Sequence, residues 1–194
     1  MSLTDSVRAG ERFHVHTIPL YLVDRFAKAF GLSVFVETGT YTGSTVEHVE
    51  KGFSEVFTIE LDEKLAAAAT SRFSGRKHVH VAQGESGVRL AEVLLSLGDR
   101  RALFWLDAHW SGGITARQDL EIHTSVRAEL SALKSSVRRD HVIMIDDIDD
   151  FQGVHGYPTQ NELVELVREI NPDYQIEILK VRRGVLVAYP VTGR

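Results

Sequence analysis

The chain has 194 residues, 22 of them Lys or Arg against 27 Asp or Glu, and a formal net charge of −5, which argues against a nucleic-acid backbone as its partner. It contains no cysteine, so disulfides, thiolate metal sites and Cys nucleophiles are excluded. A hydrophobic content of 43% suits one globular domain with a substantial core, and no basic leader or apolar run of about 20 residues marks a signal peptide or membrane span, so the expected location is cytoplasmic.

Residues 1–12 are polar. From Thr17 to Phe30 the apolar residues Ile18, Leu22, Val23, Phe26 and Phe30 fall at helical spacing, and Gly31 ends the helix. Residues 1–33 read as an N-terminal arm and helix, a candidate lid; residues 34–194 read as one domain. Val34–Val36 is a short β-forming run that leads into Glu37–Thr38–Gly39–Thr40–Tyr41–Thr42–Gly43. Gly39 and Gly43 let the backbone turn and let a ligand approach. Ser44 or Thr45 can cap the helix that follows, which runs to Lys51 and stops at Gly52.

Val56–Glu60 is the second strand and ends in an acid. Asp62 reads as the cap of a helix over Glu63–Phe73. His78–Ala82 is the third strand, with His78 and His80 on one polar face. Gln83–Gly84–Glu85–Ser86 follows, and Ser86 can cap the helix Gly87–Leu97. Ala102–Asp107 is an unbroken apolar strand ending in Asp107, with Ala108, His109 and Trp110 next. Thr115–Ser135 reads as a helix with Leu120, Ile122, Val126, Leu130 and Leu133 inward and Glu121 and Glu129 on its polar face. His141–Asp147 is a second apolar strand ending in acids, here Asp146 and Asp147. The polar segment 148–158 reads as an active-site rim. A helix over Thr159–Ile170 breaks at Asn171–Pro172, and Gln175–Val181 and Val185–Tyr189 form an antiparallel hairpin. Strands alternating with helices predict an α/β fold: a doubly wound, mostly parallel, Rossmann-like sheet of seven strands.

The glycine loop carries Glu37-x-Gly39-x-x-x-Gly43. It lacks the third glycine of the dinucleotide fingerprint and the Gly-Lys-Ser/Thr of a P-loop. A carboxylate at this strand end repels phosphate and suits a cationic amino group. Glu60 follows Gly39 by about twenty residues, the spacing at which an acid meets a ribose diol. On these residues the chain resembles the class I S-adenosylmethionine-dependent methyltransferases. The resemblance implies that the loop, through Glu37, Thr38, Gly39, Thr40 and Gly43, holds the methionine part of S-adenosyl-L-methionine. It implies that Glu60 and Leu61 meet the ribose, that Glu85 and Ser86 meet the adenine edge, and that Asp107 also borders the cofactor.

Asp107, Asp146 and Asp147 end neighbouring strands. Three clustered acids need a countercharge, and Mg²⁺ with oxygen ligands would supply it. The spacing of these acids resembles the metal motif of catechol-type and sugar-type O-methyltransferases. This chain has Asp147 where the catechol type has Asn and no Lys in the loop after strand four, which leaves His109 as base, with His155 in reserve. The expectation is methyl transfer to a hydroxyl of a small molecule, assisted by a divalent metal. The alternatives are a metal-independent N- or C-methyltransferase and a non-catalytic cofactor-binding protein. A homo-oligomer stays open, because the N-terminal helix could cover its own pocket or a neighbour's.

Overall fold

The computed structural model describes residues 18–108 and 124–191. Seven strands form one sheet: β1 (Val34–Thr38), β2 (Glu55–Glu60), β3 (Val79–Gln83), β4 (Leu103–Leu106), β5 (Val142–Ile145), β6 (Gln175–Leu179) and β7 (Val185–Tyr189). Their order is β3-β2-β1-β4-β5-β7-β6. Strands β1 to β5 pair in parallel, and β7 runs antiparallel between β5 and β6. Strand order reverses between β1 and β4, and an open α/β sheet opens its ligand crevice at such a point. The doubly wound seven-stranded architecture with a terminal antiparallel hairpin is therefore as expected from sequence.

Helices cover both faces. On one face α1 (Leu20–Phe30), α2 (Ser44–Val49) and α3 (Glu63–Phe73) share a core with Phe35, Trp105, Met144 and Val187. On the other, α4 (Ser86–Leu97), α5 (Val126–Ser135) and α6 (Gln160–Ile170) pack on Val36, Phe104, Ile143 and Leu186. Strands β1, β4 and β5 are buried along their whole length, which is why their sequences are near-continuous apolar runs. The outer strands β3 and β6 are only partly covered.

Helix α1 is a layer of the fold. Leu22, Val23 and Phe26 are buried, and Phe26 meets the ring of Tyr189 at 5.0 Å. Gly31 closes the helix in the left-handed conformation, φ 60°. Two other helix starts, those of α2 and α4, differ from the sequence reading in their caps, and Asp62 agrees with it. Gly43 is the N-cap of α2, which no side chain caps. Asp62 caps α3 by accepting from the Lys64 and Leu65 amides. Glu85, rather than Ser86, caps α4, its carboxylate accepting from Val88 N at 3.0 Å. Thr159 and Glu162 form a reciprocal capping box on α6.

Candidate functional site

The loops at the carboxyl ends of β1, β2, β4 and β5 build the site. Side chains alternate along a strand, so Phe35 and Glu37 face the same layer. Register places Glu37 between Thr58 of β2 and Trp105 of β4. Glu37 is 1% exposed. Its Oε2 accepts from the Thr58 hydroxyl at 2.7 Å, and Thr40 Oγ1 lies 2.6 Å from Thr58 Oγ1. With Thr58 donating to Glu37, Thr40 donates to Thr58. Burial pushes the Glu37 carboxyl up from the ordinary 4.5 to about 8; the Thr58 and Thr45 hydroxyls oppose this, and the charges of Asp107 and Glu60 reinforce it. A cation brought beside Glu37 would favour its ionised form.

Glu60 is held by backbone. Tyr41 N donates to its Oε2 at 2.8 Å and Asp62 N to its Oε1 at 2.9 Å. A carboxylate offers about four lone-pair sites, so one further acceptor position remains on each oxygen. Two fixed acceptors side by side match the two hydroxyls of a ribose diol. Leu61, the next residue, accepts from Gln83 Nε2 through its carbonyl at 3.1 Å, which ties the ends of β2 and β3.

The glycines serve packing as well as turning. A Cβ on Gly39 (φ 87°) would lie 2.5 Å from the carbonyl oxygen of Asp107, and one on Gly43 (φ 79°) would lie 2.8 Å from the Phe73 ring. Both glycines thus let protein pack against the loop on their Cβ side. Thr38 is also engaged: its carbonyl and hydroxyl both accept from Asp107 N, at 3.1 and 3.2 Å. The ends of β1 and β4 are thus joined at the switch point.

Loop 83–86 carries a further difference. Ser86 is buried and donates to Glu129 Oε1 at 2.6 Å. Glu129 is 1% exposed, so it lies inside rather than on the polar face of α5. Residues 109–123, including His109, Glu121 and the first part of the expected long helix, lie outside the described residues.

The expected metal site at Asp107, Asp146 and Asp147 finds no support in the described residues. Among the described residues no group of three or more His, Asp or Glu is arranged to hold a metal ion. The acids have guanidinium neighbours instead. Arg182 Nη1 lies 3.3 Å from Asp146 Oδ2, and Arg183 lies 3.7 Å from Asp147 and pairs with Asp150. The turn between β6 and β7 brings both arginines there, because its backbone bonds to the segment after β5: Ile148 N to Gly184 O and Asp149 N to Arg183 O. Asp107 Oδ2 accepts from Trp105 Nε1 at 3.3 Å. Arginine countercharge thus reaches Asp146 and Asp147 from within the chain, and the expected Mg²⁺ finds no support among the described residues.

Tyr41, Asp147 and Arg182 hold positive φ of 48°, 50° and 54°. Non-glycine residues pay roughly 1–3 kcal/mol for such conformations and cluster at functional edges. His155, the reserve base, also has a positive φ, of 51°. It belongs to the segment after β5, which starts with a 3-10 turn over Ile148–Asp150 and is pinned by Phe151 packed edge-on against Tyr157 at 5.2 Å. Sequence reasoning missed Arg182 and Arg183, which sit in the turn of the expected hairpin and reach the acids only because that turn docks beside the segment after β5.

No family model matches the chain, and no curated protein matches it by sequence. Solved structures share its fold at low identity. A candidate caffeoyl-CoA O-methyltransferase from Staphylococcus aureus is 14% identical with a TM-score of 0.56, over 89% of this chain and 82% of that one. The N-methyltransferase NodS from Bradyrhizobium japonicum is 13% identical with a TM-score of 0.55, over 89% and 94%. CalS10, an amino pentose methyltransferase from Micromonospora echinaspora solved with S-adenosylmethionine, is 12% identical with a TM-score of 0.57, over 89% of each chain. The chain has the Rossmann-like fold of class I methyltransferases. Among the described residues no helix is long and apolar enough to cross a membrane.

Proposed function

We propose that this chain binds S-adenosyl-L-methionine and transfers its methyl group to a small-molecule acceptor. The observation that carries this reading is Glu60: a carboxylate fixed by two backbone amides at the end of β2, across a glycine loop from buried Glu37. Solved proteins of this fold include one bound to S-adenosylmethionine and one bound to S-adenosylhomocysteine, which supports the same cofactor here.

In this reading Glu60 accepts from the ribose hydroxyls, and Glu37 draws the cationic methionine end toward the loop. Thr38, Thr40 and Gly43 hold that loop's shape, and Glu85 and Ser86 border the adenine edge. When bound, the cofactor supplies an activated methyl on a sulfonium, so the protein's work is positioning and control of protons. The acceptor is a hydroxyl, and its proton passes to Asp107 at the end of β4 or to His109, two residues on in the sequence. No step runs through a metal. A second reading, methylation of an amine, is favoured by the arginine pairing of Asp146 and Asp147: without a Lewis acid to lower a hydroxyl's pKa, an amine is the easier nucleophile.

The test has two parts. Calorimetric titration should give saturable binding of S-adenosylhomocysteine by wild type and loss of at least about tenfold in affinity for Glu60→Ala, the cost of roughly one charged hydrogen bond. Release of S-adenosylhomocysteine is then followed with hydroxyl and amine acceptors, with and without chelator. Absence of cofactor binding would end the proposal; turnover only with added Mg²⁺ would restore the metal.

A further inference from the structure

We infer that Arg72 is a positioning residue for Glu60: from α3 it fixes the turn that aims the Tyr41 amide at that carboxylate, and so sharpens the preference for a ribose hydroxyl pair. This rests on the proposed reading that Glu60 meets the ribose. Residues 40–43 form one turn, closed by Gly43 N donating to the Thr40 carbonyl at 2.8 Å. Tyr41 stands in it at φ 48°, a conformation that a bulky side chain keeps only where its surroundings hold it. Two bonds to other elements do so. Tyr41 N donates to Glu60 Oε2 at 2.8 Å, and the Thr42 carbonyl accepts from Arg72 Nη1. The first anchors the turn to the end of β2, the second to the last turn of α3.

Arg72 is itself held. Its Nη2 donates to Glu47 of α2, and its guanidinium carbon lies 5.7 Å from the centre of the Phe73 ring. Arg76, just past the end of α3, reaches the same ring at 5.1 Å, Glu47 Oε1 at 3.6 Å and Glu50 Oε1 at 2.6 Å. Phe73 is also the ring against which Gly43 packs. The turn is thus seated on α3 by an apolar contact at Gly43 and a charged hydrogen bond at Thr42. A guanidinium is planar and its donors fork, so one group meets the carbonyl and the Glu47 carboxylate together.

The Arg72 and Glu47 side chains are 37% and 45% exposed, and ion pairs this open to solvent add little to stability. What Arg72 supplies is direction. Glu60 has two backbone donors, Asp62 N on Oε1 and Tyr41 N on Oε2. Asp62 caps the start of α3 and keeps its bond without Arg72. With the Thr42 carbonyl released, Tyr41 is free to leave its positive φ, and Oε2 then loses the donor that fixes it. A carboxylate pinned at one oxygen rotates about that contact and no longer presents two set acceptors side by side.

The experiment compares S-adenosylhomocysteine with its 2′-deoxyribose analogue by calorimetry on the full chain. Wild type should prefer the ribose compound by about tenfold or more, as for one hydrogen bond to a charged group. Arg72→Met keeps an unbranched stem over Phe73 and removes the donors; it should cut that preference to about threefold or less. Arg72→Ala should do the same, which excludes an effect of the introduced thioether. Arg72→Lys returns a charged donor and should recover a preference between those of the Met variant and wild type. A merely structural Arg72 would weaken both ligands equally and leave the preference intact, and that result overturns the inference. Wild type that binds both compounds equally overturns it too, with the cofactor reading left standing. Wild type that binds neither overturns the cofactor reading and this inference with it.

Discussion

Replacing Glu37 with Gln should make the ligand-free protein more stable as pH rises. The Glu37 carboxyl is raised from 4.5 to about 8, chiefly by burial. Between those values the folded chain holds a proton that the unfolded chain has lost. The stability associated with that proton is complete below about pH 4.5 and is lost as pH climbs through about 8. The gap corresponds to at most about 5 kcal/mol, at about 1.36 kcal/mol per pH unit. Glutamine keeps the shape and the acceptor oxygen for Thr58 but never ionises. Urea denaturation of both proteins should give similar stabilities near about pH 5, and a Glu37→Gln advantage growing to a few kcal/mol near about pH 8. Parallel profiles across that range would refute the reasoning, since every other titrating group is common to the two proteins. If the proposed cofactor's ammonium group settles beside Glu37, binding near neutral pH should release a proton, read as a dependence of the binding heat on buffer ionisation enthalpy.

Gly39→Ala places a methyl group against the Asp107 carbonyl at a positive φ, and should cost about 3 kcal/mol or more, a fall of roughly 6–12 °C in melting temperature. Arg182→Ala removes the guanidinium beside buried Asp146 and should destabilise by about 1–3 kcal/mol; a denaturation curve unchanged at neutral pH would contradict the pairing. Thr159→Ala opens the capping box of α6 and should cost about 1 kcal/mol without changing ligand affinity. Turnover, once an acceptor is found, should survive chelation of divalent ions, measured as S-adenosylhomocysteine release.

The fold was legible because its signals were local. Apolar runs such as Val34–Val36 and Leu103–Leu106 announce strands covered on both faces, and Gly31 by its left-handed backbone and Asp62 by its capping carboxylate mark helix ends. Glu129 shows where polarity misled: it lies three residues after Val126 and four before Leu133, on the inward stripe, and periodicity alone would have placed it correctly. The partners of the acids needed long-range information. That β7 would insert between β5 and β6, carrying Arg182 and Arg183 to the ends of the central strands, follows from sheet order rather than from any residue near Asp146. Gly39 was legible as a special position, but the reason for it, the Asp107 carbonyl, lies on a strand more than sixty residues away.

The place of β7 in the sheet has a consequence for how the molecule is made. Strands β1 to β5, with the glycine loop, Glu60 and the aspartates, are translated before the arginines that lie beside Asp146 and Asp147. A nascent chain stopped after α6 would hold these acids at an open sheet edge, repelling one another, with β5 unpaired on its outer side. Only when the closing hairpin arrives does the edge gain both its last hydrogen bonds and its positive charge. The closing hairpin therefore adds countercharge to acids that precede it in the chain.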